Sequence, residues 1–62
     1  MNEKTCNMLL EMAKVYTIEI SHDGFSWYVG IEIEREWDYE TMNFMSPDIN
    51  RAVQKAYNYF TR

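Results

Sequence analysis

The chain has 62 residues, 47% of them hydrophobic, and ten Asp and Glu against six Lys and Arg leave a net charge of −4. That length allows one domain, residues 1–62, with a small core, and the apolar content excludes a disordered chain. No apolar run passes three residues, so neither a membrane-spanning helix nor a signal-peptide core is expected, and the acidic balance argues against direct binding to nucleic acid or anionic lipid.

Residues 3–14 are expected to form the first helix. Asn2 is a suitable N-cap, Glu3 suits the positive first turn and Lys14 the last. Cys6, Leu9, Leu10 and Ala13 recur at the spacing of one buried stripe, widened by Met8 and Met12. Residues 15–22 then alternate, with Tyr16, Ile18 and Ile20 on one face and Thr17, Glu19 and Ser21 on the other, as in a half-buried strand. Asp23-Gly24 is a strong hairpin signal because a tight turn there needs positive φ.

Residues 25–34 alternate again, with Phe25, Trp27, Val29, Ile31 and Ile33 on the apolar side. A two-residue turn at Asp23-Gly24 predicts the pairs Ile20–Trp27, Ile18–Val29 and Tyr16–Ile31, with Glu19–Tyr28 and Ser21–Ser26 on the reverse face. Residues 39–45 supply a third strand. A four-residue loop, Arg35 to Asp38, pairs Ile31 with Met42, Val29 with Phe44, Glu34 with Tyr39, Glu32 with Thr41 and Tyr28 with Met45. Gly30, opposite Thr17 and Asn43, marks a bulge or a shallow dent where a partner's backbone could come close.

Residues 47–61 read as a second helix. Ser46 is the expected N-cap, Pro47 stands at the first helical position and Asp48 follows. Ile49, Ala52, Val53, Ala56, Tyr57 and Phe60 form a continuous apolar stripe, leaving Arg51, Gln54, Lys55, Asn58 and Arg62 in solvent. The expected fold is therefore α+β. Its order is α-β-β-β-α, a three-stranded antiparallel meander with both helices on the apolar face. The other face is left open.

That open face and its adjoining loop concentrate the acid. Glu32, Glu34, Glu36, Asp38 and Glu40 occupy consecutive even positions with only Arg35 opposing them, and together carry the whole net charge. Even positions of one strand share a face at a spacing of about 6.7 Å, and Glu19 joins them from the neighbouring strand. A solvated face that keeps the domain soluble is one reading. A docking face for a basic protein surface is the other, with carboxylates that steer association and Tyr28 and Tyr39 as anchors. One DNA strand carries a charge per about 3.4 Å, so this row has half that density and mimicry of nucleic acid needs further contacts.

The α-β-β-β-α order, with Ser46 opening a final helix that carries Ala52 and Ala56, resembles the double-stranded RNA-binding domain in topology. That family opens its last helix with lysines that grip phosphate; Pro47-Asp48-Ile49 stand here instead, so RNA binding is not carried over. The small size, the acidity and the sheet edged by Glu32 to Glu40 also resemble small phage-encoded inhibitors of the anti-CRISPR or anti-restriction kind. That resemblance implies occupation of the basic groove of a nucleic-acid-processing enzyme.

Catalytic chemistry finds little footing. His22, the single histidine, precedes a turn that offers neither a cleft nor an orienting partner. Cys6 is expected to be a buried core thiol without a base. One His and one Cys cannot build a zinc site, and Glu34, Glu36 and Asp38 lack the loop that fixes a hard cation, so no metal and no cofactor are expected. A lone cysteine permits no internal disulfide and suits a reducing, cytoplasmic setting. Trp37 either closes the end of the core or stands out of the 35–38 loop as a contact residue. The expectation is thus a non-catalytic binding protein acting on a basic protein partner through Glu19, Glu32, Glu34, Glu36, Asp38 and Glu40, with Tyr28 and Tyr39 as anchors. The alternative is a homodimeric structural module that pairs through its open face or a strand edge. Glutamates facing each other across a twofold axis would oppose that association, which places it second.

Overall fold

The computed structural model describes residues 1–61. It is a two-layer α+β domain in which a three-stranded antiparallel sheet carries both helices on one side. Helix α1 spans Glu3–Ala13, strand β1 Thr17–His22, β2 Trp27–Glu34, β3 Tyr39–Ser46, and helix α2 Ile49–Phe60. The strand order is β1-β2-β3, so β2 is central.

The core forms where the apolar side of β2 meets the helices. Val29 and Ile31 are fully buried against Ala52, Val53 and Ala56 of α2 and Met8 and Met12 of α1. Removing side chains of this size from water stabilises the fold by about 1.5–3 kcal/mol each. Helix α2 lies on β2 and β3, and α1 fills the remaining side by packing on α2 and β1. Tyr16 and Phe60 close one end with ring centroids 4.7 Å apart, and the expected stripe of α2 is the one that faces inward.

Helix α1 is turned from its expected setting. Asn2 does cap it, its side-chain oxygen accepting from Thr5 N–H at 2.8 Å. The buried stripe, however, is Thr5, Met8 and Met12 with Leu9 beside it, while Cys6, Leu10 and Ala13 are exposed. Both stripes have helical spacing. The longer, more adaptable methionines fill the space over β2, and the outer stripe is left in solvent.

Two other boundaries move. Ser46 ends β3 rather than capping α2; its hydroxyl accepts from Asp48 N–H at 3.2 Å. The N-cap of α2 is Asp48, whose carboxylate accepts from Asn50 N–H at 2.9 Å. Of the cations assigned to the solvated face of α2, Arg51 and Lys55 are exposed, and Arg62 lies outside the described residues.

The β2–β3 register is the expected one, from Trp27 opposite Ser46 to Glu34 opposite Tyr39. The β1–β2 register is displaced by two residues: Ile18 pairs with Ile31, Ile20 with Val29 and His22 with Trp27. The cause is Asp23. Its carboxylate accepts from the N–H groups of Phe25 and Ser26, each at 2.8 Å, and its own N–H donates to the Ser26 carbonyl. This widens the turn to four residues, 23–26, with Gly24 at φ 98°. A two-residue slip keeps every strand side chain on its expected face. Phe25 and Ser26 are expelled from the strand into the turn, where Phe25 is 86% exposed.

Candidate functional site

The face of the sheet away from the helices is bare, and its side chains form cross-strand rungs. Thr17, Glu32 and Thr41 make one; Glu19, Gly30 and Asn43 the next; Ser21, Tyr28 and Met45 the third. Glu34 and Tyr39 face each other where β2 passes into the 35–38 loop. Glu19, not Thr17, is therefore the β1 neighbour of Gly30. The missing side chain leaves a dent of about 150 Å³ lined by Glu19, Ser21, Gly30, Glu32, Thr41 and Asn43. A Cβ on Gly30 would stand 3.0 Å from Asn43 Oδ1, so glycine is what lets the neighbouring side chains close over β2. There is no bulge: pairing runs unbroken through Gly30 on both sides.

A second depression, of about 300 Å³, adjoins it and is lined by Glu32, Glu34, Arg35, Asp38 and Tyr39. Glu19, Glu34, Glu36 and Asp38 are exposed, and Glu32 is half-buried between its two threonines. Among the described residues the one ion pair joins Arg35 to Glu40. Among the described residues no carboxylate of the open face or the loop tip is matched by a cation, so their field projects outward.

One of the expected site residues stands on the other face, and another is held by the fold. Glu40 pairs with Ile33 and so lies on the helix side of the sheet, at its rim, with its carboxylate held by Arg35. Even numbering fails there because the hairpin sets even β2 residues opposite odd β3 residues. Tyr28 is on the open face, but half-buried, and its hydroxyl donates to Asp23 at 2.7 Å. That bond, with the Ser26 and Phe25 amides behind it, holds the Asp23 carboxyl down to about 2, and the carboxylate in turn raises the phenol. Tyr28 is thus a brace for the first hairpin. Tyr39 is 70% exposed and Trp37 90% exposed, so the free aromatic surface of this region belongs to the 35–38 tip. Sequence alternation could not place Trp37, because a loop residue has no strand face.

The largest concavity lies on the opposite side, between the helices, lined by Met8, Leu10, Glu11, Ala13, Gln54 and Tyr57 among others. One polar pair of its lining is engaged: Tyr57 donates its hydroxyl to Glu11 at 2.8 Å, which raises the phenol's pKa. His22 accepts from Gly24 N–H through Nδ1 at 3.2 Å and packs on Trp27 with ring centroids 4.6 Å apart. Cys6, expected to be buried, is exposed on α1. Among the described residues no group of three or more His, Cys, Asp or Glu side chains is gathered as metal ligands, and no helix is long and apolar enough to cross a membrane. Comparison with protein-family models, with curated proteins and with solved structures yields no match to this chain.

Proposed function

We propose that the protein is a non-catalytic binding module that docks its bare sheet face and the 35–38 tip on a basic protein surface, and that it acts by covering that surface. A nucleic-acid-processing enzyme, whose working groove is basic, is the class of partner this charge fits. The observation that carries the reading is the pairing of unmatched carboxylates at Glu19, Glu32, Glu34, Glu36 and Asp38 with exposed aromatic surface at Trp37 and Tyr39. Carboxylates of this kind raise the rate of encounter, and aromatic side chains buried on contact supply most of the hold. Glu40 contributes by occupying Arg35, which would otherwise offset the field of the tip.

The test is capture from a lysate of the native host on immobilised protein, at low and at high salt, beside the combined variant Glu32→Gln, Glu34→Gln, Glu36→Gln. A partner held at low salt, released by added salt and lost from the variant sustains the reading. A partner held equally by both proteins moves the site off this face.

A further inference from the structure

We infer that β1 is a pairing edge for a second copy of this chain, so that two sheets join antiparallel into one of six strands across a twofold axis. The hydrogen bonds at the hairpin ends establish which backbone groups are free. Asp23 N–H donates to the Ser26 carbonyl at 3.3 Å, which makes 23 and 26 a hydrogen-bonded pair. Such pairs alternate along an antiparallel ladder, so the β1 residues bonded to β2 are Ser21, Glu19 and Thr17. Ile18, Ile20 and His22 then turn their N–H and C=O groups away from β2. The same reasoning at Arg35 N–H and the Asp38 carbonyl, 2.8 Å apart, turns Tyr39, Thr41, Asn43 and Met45 of β3 outward. The Met45 carbonyl confirms that assignment, since Lys55 Nζ reaches it from outside at 2.9 Å.

The two edges are treated differently. A lysine laid across β3 is a common guard against strand addition, as are proline, bulges and charge. Strand β1 has none of the first three: its sequence Thr-Ile-Glu-Ile-Ser-His contains no lysine and no proline, and its pairing with β2 is unbroken. Five of its six residues are exposed, and Ile20, on the apolar side, is 39% exposed.

The second copy is favoured as occupant because β1 matches its own reverse. Pairing centred on Glu19 sets two glutamates against each other, and pairing centred on Ser21 carries Ile18 past the end of the strand. Pairing centred on Ile20 sets Ile20 against Ile20, Ile18 against His22 and Glu19 against Ser21. Every outward N–H and C=O of the three free residues then has a partner, no like charges stand directly opposite each other, and the two isoleucines cover each other. The bare carboxylate face stays open in the six-stranded sheet, so this inference stands apart from the proposed function.

A contact of one strand against one strand belongs with the weak interfaces that bury less than about 1,200 Å². Sedimentation equilibrium from micromolar to millimolar protein is therefore expected to show a monomer–dimer equilibrium that tightens with salt, since each copy carries −4. The Ile18, Ile20 and His22 amides should gain exchange protection as the dimer forms. Ser21→Glu faces the second copy's Glu19 twice per dimer and should weaken association roughly 2–10-fold, whereas Ser21→Lys should strengthen it. Position 21 is exposed, so both variants should fold, which circular dichroism checks. A monomer at every concentration overturns the inference, and so does a dimer indifferent to both Ser21 variants.

Discussion

The two hairpin tips of this sheet are built on opposite plans. The 23–26 tip is closed on itself. One carboxylate, Asp23, gathers two backbone N–H groups and the Tyr28 hydroxyl, while Gly24 takes the positive φ. The 35–38 tip is held by one backbone hydrogen bond and by an Arg35–Glu40 ion pair beside it, and it presents Trp37 to solvent. Both loops are four residues long and both contain aspartate. What separates them is where the carboxylate points. Asp23 is consumed in bracing the fold, whereas Asp38 and its neighbours remain available to a partner. An acidic residue in a turn is therefore evidence of function only after its local acceptors and donors have been counted.

That contrast can be attacked at several points. The largest effect is expected where both tips are lost together. Ile31→Ala, at the fully buried centre of β2, should cost about 2–5 kcal/mol, comparable with the roughly 3–5 kcal/mol a domain of this size holds in reserve. Thermal unfolding by circular dichroism would show a chain largely unfolded at room temperature.

Next comes the contrast itself. Asp23→Ala should lower the urea midpoint clearly, while Asp38→Ala leaves it unchanged, and partner capture should respond in the reverse order. Equal loss of stability in the two variants would erase the distinction between the tips.

Acid offers a gentler probe. The folded Asp23 carboxyl, at about 2, lies below its ordinary 3.8, so folding favours the charged form. Its contribution is complete above that ordinary value and is lost as the pH falls toward about 2. Asp23→Asn should therefore flatten the acid limb of the stability profile, and a carboxyl NMR titration should place the group near its shifted value.

A change in stability within about 0.5 kcal/mol is expected from Trp37→Phe, because the side chain is 90% exposed. Its readout is optical. The remaining Trp27, half-buried against His22, should emit at shorter wavelength and resist acrylamide, whereas Trp27→Phe should leave an easily quenched fluorophore.

Much of the architecture was legible because hydrophobic spacing reports directly on burial. The stripe Ile49 to Phe60 and the Val29–Phe44 and Ile31–Met42 pairs are of this kind. Errors arose where two solutions had the same period. In α1, Cys6-Leu9-Leu10-Ala13 and Thr5-Met8-Leu9-Met12 are equally helical, and it is the second that packs against α2 and β1. The β1–β2 register slipped because Asp23 uses its side chain as a turn acceptor, an option that alternation cannot register. Counting even positions through the chain reversal misplaces Glu40, because the reversal does not conserve parity. For the candidate site, the acids were visible as a run of residues. Which of them remain unmatched depended on Arg35 choosing Glu40, and the free aromatic surface on Trp37 standing outside the core.

The tie between Asn2 and Asn50 has a practical side. The Asn2 N–H donates to Asn50 Oδ1 at 3.0 Å, which pins the start of α1 beside the start of α2, at the Trp27–Ser46 pole of the domain. Helix α2 then runs back across the sheet, and Phe60 packs against both Tyr16 and Phe44 on the helix side. An affinity handle attached ahead of Asn2 would thus be anchored on the helix side at that pole, away from the bare sheet face and the 35–38 tip. Capture through an amino-terminal handle should therefore leave the proposed contact surface open to a partner.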